Sequence, residues 1–120
     1  MGTLTVIVDK LRNTDGHVLG VVWSGPEGFP GDTELACCSE RADIDGDIAT
    51  LVFDLEPGRY AVTVLHDEND NAELDTNFLG VPREGFGVSG DLHFRKPSWD
   101  EHAFEHDGDT EIRIPAHYFL

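Results

Sequence analysis

The chain has 120 residues, of which 24 are Asp or Glu and only 8 are Lys or Arg, so its formal charge is −16. Hydrophobic residues make up 39% of the sequence, which is too many for a disordered acidic tail, and the length fits a single domain over residues 1–120. Such a negative surface disfavours nucleic-acid and membrane-surface partners, and no apolar run is long enough for membrane insertion.

Alternating apolar residues predict the first two strands. Leu4, Val6 and Val8 share one face of the first strand, and residues 17–24 form the second strand. Between these two strands lies the pair Asp15-Gly16, which is typical of the tight turn of a β-hairpin. We therefore expect the first two strands to pair as a hairpin.

The later strands follow the same pattern. Residues 48–55 and the run from Tyr60 to Leu65 predict two strands, and residues 102–106 and 111–118 predict a final hairpin. Pro115 lacks a backbone N–H, which places this last strand at a sheet edge. The whole pattern indicates an all-β fold, a single antiparallel β-sandwich of about seven strands, with function sought in the long loops 25–45 and 66–100.

The segment 67–75, directly after the fourth strand, is crowded with oxygen ligands. It holds five carboxylates and two carboxamides and no positive charge, a density that is unfavourable unless solvent or a cation offsets the repulsion. The oxygens follow the order in which an EF-hand-type loop wraps Ca²⁺. The predicted ligands are the side chains of Asp67, Asn69, Asn71 and Asp75, the carbonyl of Glu73, and Glu84 from the following turn.

The same segment departs from the EF-hand pattern at two positions. Ala72 stands where such loops place glycine, and Phe78 stands where they place a bidentate glutamate. The alternative interpretation is that Asp and Asn side chains only cap turns in a solvated loop. If the segment does bind Ca²⁺, we expect a weak affinity, on the order of 0.1 to 1 mM.

Three stretches together resemble an uncharacterised bacterial family known as domain of unknown function 2141. They are the strand entry Leu-Glu-Pro-Gly-Arg-Tyr-Ala-Val at 55–62, the acidic run 66–77 and the segment Gly-Val-Pro-Arg-Glu-Gly-Phe-Gly-Val-Ser at 80–89. The resemblance extends from Leu4 to Tyr118. The chain differs from the family at Asp70 and Ala72, where members tend to have glycine, which leaves the turn geometry of the acidic run open.

The resemblance implies a fold and a cellular location, but it identifies no enzymatic reaction. Members are mostly small exported proteins of unassigned activity, and the strand entry is similar to that of transthyretin-like and carboxypeptidase-regulatory sandwiches. It therefore implies a transthyretin-like or Ig-like Greek key in the periplasm or outside the cell. No apolar leader follows Met1, so either a leader has been removed or the protein is cytoplasmic.

Two other functional hypotheses remain open. A small metal-dependent hydrolase would use His66 and nearby carboxylates, although a triad of His66, Asp67 and Ser89 is not expected because neighbouring strand residues point to opposite faces. A glycan- or peptide-binding sandwich would use aromatic side chains such as Trp99 and Phe86. His102 and His106 are expected at the surface.

The adjacent Cys37 and Cys38 close a disulfide only through a strained ring, so we interpret them as two small loop side chains. The preferred function is non-enzymatic. We expect an exported binding or structural module that takes a divalent cation, with a protein or glycan partner of unknown identity.

Overall fold

A computed structural model describes residues 2–29, 33–67, 85–90 and 99–118. Within these ranges the chain forms eight strands, a 3₁₀ turn at Thr33–Leu35 and a one-turn helix, α1, at Trp99–His102. The strands form two packed sheets, which confirms the predicted all-β sandwich. The strands are β1 (Gly2–Asp9), β2 (His17–Trp23), β3 (Cys38–Ala42), β4 (Ala49–Leu55), β5 (Gly58–Asp67), β6 (Gly85–Val88), β7 (Phe104–His106) and β8 (Thr110–Pro115).

The first sheet has the order β4-β1-β8. Leu4, Val6 and Val8 of β1 are almost fully buried, as their alternation predicts, and β4 runs antiparallel beside them with Leu51 opposite Val6. On the other side β8 pairs with β1 in parallel, whereas the other strand pairs are antiparallel. Pro115 lies in this edge strand, as predicted.

The second sheet has the order β3-β2-β5-β6, and β7 pairs with the first residues of β5. Strand β5 is its central element and is buried on both faces. Tyr60, Val62 and Val64 face the main core between the sheets, whereas Ala61 and Thr63 lie on the outer face, where Ala61 joins a smaller cluster with Trp23. Burial on both sides gives β5 little freedom to shift its register.

The smaller cluster covers the outer face of the second sheet. Its buried members are Trp23, Phe29, Ala61 and Val88, and Trp99 of α1 packs against them. Trp23 and Phe29 meet edge to face, with ring centroids 5.6 Å apart. The loop after β2 and the helix α1 therefore form a third layer over one end of the sandwich.

Both predicted hairpins are wrong, although their strands exist. β1 pairs with β4 and β8, and β2 pairs with β3 and β5, so the Asp15-Gly16 turn carries the chain from one sheet to the other. In the same way β7 belongs to the second sheet and β8 to the first. The physical reason is that successive strands bury their apolar faces against the same core from opposite sides. A short turn can lead the chain across to the other sheet as readily as it can form a hairpin.

Among the described residues, no helix has the length and apolar character needed to cross a membrane.

Candidate functional site

The site that the acidic segment singles out begins at the last residue of β5. Asp67 pairs in register with His17, the first residue of β2, and the side chains of both are buried, Asp67 completely. Nε2 of His17 lies 3.7 Å from Oδ2 of Asp67, a distance that suits an ion pair when the imidazole is protonated and is too long for a direct hydrogen bond. The first residue of the acidic segment is therefore a carboxyl group that is shielded from solvent.

Of the six predicted metal ligands, Asp67 alone lies within the described residues. Asn69, Asn71, Glu73, Asp75 and Glu84 fall in residues 68–84, outside the described ranges. Among the residues that are described, no group of three or more His, Cys, Asp or Glu side chains is arranged to hold a metal ion. The Ca²⁺ site therefore stays a prediction, and Asp67 is the one proposed ligand whose position the structure describes.

His66 occupies the opposite face of β5, as expected for the neighbour of Asp67. Its ring is buried and both nitrogens are engaged: Nδ1 lies 2.7 Å from the Tyr118 hydroxyl and Nε2 lies 2.8 Å from the carbonyl oxygen of Asp15. Because a carbonyl only accepts hydrogen bonds, Nε2 must carry the hydrogen, and Nδ1 of the neutral ring accepts from Tyr118. His66 thereby ties the turn before β2 to the end of the chain.

Tyr118 extends this chain of hydrogen bonds to a third segment. Its oxygen accepts the backbone N–H of Arg12 at 3.0 Å, and the guanidinium of Arg12 lies over its ring, 4.5 Å from the centroid. The backbone of His117 exchanges two hydrogen bonds of 2.9 Å with Phe86 in β6. Residues 116–118 therefore form a C-terminal strap that closes the sandwich beside the point where β6 begins.

Two further histidines, expected at the surface, are buried. In α1, His102 donates from Nδ1 to the carbonyl of Ser89 at 2.6 Å, and the Ser89 hydroxyl donates to the carbonyl of His102 at 2.6 Å. His106 of β7 contacts the Thr110 hydroxyl through Nδ1 and donates from Nε2 to the carbonyl of Leu55. The expectation was wrong because each ring bonds a backbone carbonyl that lies far away in the sequence.

The Ser89 hydroxyl is fully used in this arrangement. It accepts the backbone N–H of Val62 at 3.1 Å while it donates to His102. His66 is committed to Tyr118 and Asp15, so Ser89 and His66 do not form a nucleophile and base pair in this structure.

Comparison with known proteins locates the chain in one family. A family model described as uncharacterized proteins conserved in bacteria matches residues 6–113 of the 120-residue chain. No curated protein and no solved structure matches it. Since the match covers nearly the whole chain, including every strand from β2 to β7, the protein belongs to the uncharacterised bacterial family known as domain of unknown function 2141.

Proposed function

We propose that this protein is a non-enzymatic, exported β-sandwich module whose acidic segment, residues 67–75, binds a divalent cation, with Ca²⁺ as the best-suited ion. The observation that carries the proposal is the burial of Asp67 at the end of β5, 0% exposed and next to His17. A carboxylate without water is costly unless positive charge or hydrogen bonds compensate it. Asp67 already has the contact with His17, and a cation held by the adjacent segment would add a second positive charge beside it.

The chemistry of the segment supports a hard cation. The remaining predicted ligands are carboxylate, carboxamide and carbonyl oxygens, which Ca²⁺ takes in sets of six to eight. Asp67 is fixed by the β2–β5 ladder, so one end of the segment has a defined position from which the chain can wrap an ion. The formal charge of −16 also raises the local concentration of cations at the surface.

The hydrolase alternative finds less support in the geometry. A catalytic base or metal ligand needs a free ring nitrogen that faces substrate or metal, whereas both nitrogens of His66 are hydrogen-bonded and the side chain is 2% exposed. His66 acts in this structure as a connection between segments.

The glycan- or peptide-binding alternative is also less favoured. Trp99 and Phe86 are both partly buried and pack against the cluster around Trp23. Trp99 meets the ring of Phe29 edge to face at 6.4 Å between centroids. These contacts hold α1 against the outer face of the second sheet, and packed rings present less face to a ligand.

The cation proposal is tested by calorimetric titration of chelator-treated protein with Ca²⁺, Mg²⁺ and Zn²⁺ in turn. We expect saturable binding of Ca²⁺ with a dissociation constant on the order of 0.1 to 1 mM, and weaker binding after Asp75→Asn. Glu105→Gln is the matched control because Glu105 is an exposed carboxylate on β7, outside the segment. Absence of a saturable Ca²⁺ signal in the folded protein would refute the proposal.

The exported location rests on the family resemblance and is tested separately. Cell fractionation of the source bacterium with an antibody against the protein should recover it in the periplasm or medium. Recovery with cytoplasmic marker proteins would overturn this part of the proposal and leave the titration result unaffected.

A further inference from the structure

Strand β4 has one edge that pairs with no other strand among the described residues. It stands at the end of the order β4-β1-β8, and its pairing with β1 runs without interruption from Gly2 opposite Leu55 to Val8 opposite Ala49. Lysine, proline and β-bulges commonly protect such edges from pairing with another chain, and β4 contains none of them. We call the side of β4 that faces away from β1 the open edge.

The register shows which backbone groups face the open edge. The carbonyl of Asp9 accepts the N–H of Ala116 at 2.9 Å, so Asp9 and every second residue before it direct their backbone groups toward β8. The residues between them, such as Val6, direct theirs toward β4, so Val6 and Leu51 form a hydrogen-bonded pair. The remaining residues of β4 direct both N–H and C=O to the open edge, and they are Thr50, Val52 and Asp54.

The turn before β4 agrees with this assignment. The carbonyl of Asp47 accepts the N–H of Leu11, which follows β1, at 3.1 Å. Ile48, the next residue, exchanges backbone hydrogen bonds of 2.8 and 3.2 Å with Asp45 instead. Odd-numbered residues therefore bond toward β1 and even-numbered residues bond away from it, both in this turn and along β4.

The surface along the open edge is apolar in the middle and negative at both ends. Val52 is 53% exposed and Ile48 is 37% exposed. Residues 42–58 contain no Lys or Arg and five exposed carboxylates, which are Asp43, Asp45, Asp47, Asp54 and Glu56. A second copy paired antiparallel around Val52 would set Glu56 of each chain opposite Ile48 and beside Asp47 of the other, so like charges would meet. Charge complementarity therefore favours a basic partner.

We propose that the open edge of β4 binds an extended basic segment of another protein, which adds to the first sheet as a further strand antiparallel to β4. The backbone of this segment pairs with the N–H and C=O groups of the open edge. An apolar β-branched residue lies opposite Val52, and a lysine or arginine lies opposite Asp54. This surface uses neither the acidic segment 67–75 nor the rings of Trp99 and Phe86, so the proposal is independent of the cation proposal.

The test is fluorescence anisotropy with a labelled heptapeptide, Lys-Lys-Thr-Val-Thr-Thr-Lys, whose central valine lies opposite Val52 and whose second lysine lies opposite Asp54. N-methylation of that valine removes an N–H that faces β4 and should weaken binding by about tenfold. N-methylation of the following threonine is the matched control, because its N–H faces away from β4 and the peptide charge is the same. This control peptide should bind as the unmodified peptide does. Failure of the unmodified peptide to bind, or equal binding of the two methylated peptides, would overturn the proposal.

Val52→Pro repeats the test on the protein. The N–H of Val52 faces the open edge, so proline breaks no bond of the β1–β4 ladder but blocks a further strand, and it should weaken peptide binding by about tenfold. Val52→Thr keeps the N–H and the β-branched shape and should bind as the unaltered protein does. If Val52→Pro does not fold, the two methylated peptides still decide the question.

Two further outcomes would contradict the proposal. One is unchanged peptide binding in a folded Val52→Pro variant. The other is a dimer of the unaltered protein that sedimentation detects and that Val52→Pro abolishes, because it would assign the open edge to a second copy of the chain.

Discussion

The hydroxyl of Tyr118 joins three distant segments through two hydrogen bonds. It accepts from the backbone of Arg12 and donates to Nδ1 of His66, whose Nε2–H in turn reaches the carbonyl of Asp15. Each donor in this chain meets an acceptor, so the tautomer of His66 is determined by its surroundings. Removing one hydroxyl therefore leaves two polar groups without their partner.

Tyr118→Phe should lower the free energy of unfolding by about 1 to 3 kcal/mol, because the buried Nδ1 of His66 loses this hydrogen-bond partner. Urea denaturation measures this change. His117→Gln is the control, because the His117 side chain is exposed and only its backbone bonds Phe86. Equal unfolding midpoints for Tyr118→Phe and the unaltered protein would show that the strap contributes nothing to stability.

The protein should lose stability in alkaline solution because of Tyr60. Burial, with the nearby charges of Cys37 and Glu56, raises the pKa of Tyr60 above its ordinary value of 10.0. The unfolded chain therefore loses this proton more readily than the folded chain does. The stability that Tyr60 gives to the folded state is present below about pH 10 and is lost as the pH rises through the folded-state pKa. Urea denaturation at pH 8 and pH 10.5 should show a smaller alkaline loss in Tyr60→Phe than in the unaltered protein.

Tyr60→Phe has a second, opposite effect at pH 8. The Tyr60 hydroxyl donates to the carbonyl of Glu56 at 2.8 Å, so its removal should cost about 1 kcal/mol there. An alkaline loss of equal size in both proteins would contradict the assignment to Tyr60.

The contacts of the buried histidines could not be predicted from single residues. His102 and His106 bond the carbonyls of Ser89 and Leu55, which are far away in sequence. The residues on either side of a histidine in a short polar run are the same whether its ring faces solvent or bonds a distant carbonyl, so the sequence does not distinguish the two cases. The position of Asp67 was different, because the alternation of β5 already separated it from His66.

Strand β6 lies so close to β8 that one of its residues has no room for a side chain. A Cβ on Gly87 would lie 2.6 Å from Cγ2 of Ile114 and 2.9 Å from the carbonyl oxygen of Pro115. The second of these atoms belongs to the backbone and cannot rotate away. Glycine at this position therefore lets the edges of the two sheets meet, next to the bridge between Phe86 and His117.

Gly87→Ala should destabilise the protein by about 1 to 3 kcal/mol, as overpacking does in other cores. Gly25→Ala is the matched control, because no atom lies within 4 Å of a Cβ built there, and it should change stability by less than about 0.5 kcal/mol. Thermal or urea unfolding of the two variants measures the difference. A Gly87→Ala variant as stable as Gly25→Ala would mean that the two edges separate at little cost.

The strands themselves were predictable, whereas their partners were not. Alternation identified β1 and β4 because each buries every second residue, for example Leu51 and Phe53 in β4. Pairing depends on which sheet a strand enters after a short turn, and Gly16 has the positive φ of 65° that suits a hairpin or a crossover equally. The parallel pair β1–β8 joins the two ends of the chain, a contact that no local pattern encodes.

The formal charge of −16 acts on the whole molecule. Folding brings the 24 acidic side chains closer together than they are in the extended chain, so their mutual repulsion opposes the compact state. Dissolved salt screens this repulsion over a Debye length of about 30 Å at 0.01 M and about 3 Å at 1 M.

The melting temperature should therefore rise steadily as NaCl increases from about 0.01 M to about 1 M. Differential scanning calorimetry gives the melting temperature at each concentration. KCl at the same concentrations is the control and should give the same curve, since screening depends on ionic strength alone. A melting temperature that falls or stays constant over this range would contradict a folded state limited by its own charge.

The central claim is that a bound cation offsets the crowded negative charge after β5. It is tested most directly by comparing melting temperatures in Ca²⁺ and in chelator, with NaCl added to equalise ionic strength. At a Ca²⁺ concentration ten times the dissociation constant, binding adds about 1.4 kcal/mol, or roughly 3 to 6 °C for a domain of this size. We predict this rise in the unaltered protein and in Glu105→Gln, and its loss in Asp67→Ala. Identical melting curves of the unaltered protein in Ca²⁺ and in chelator would contradict the claim.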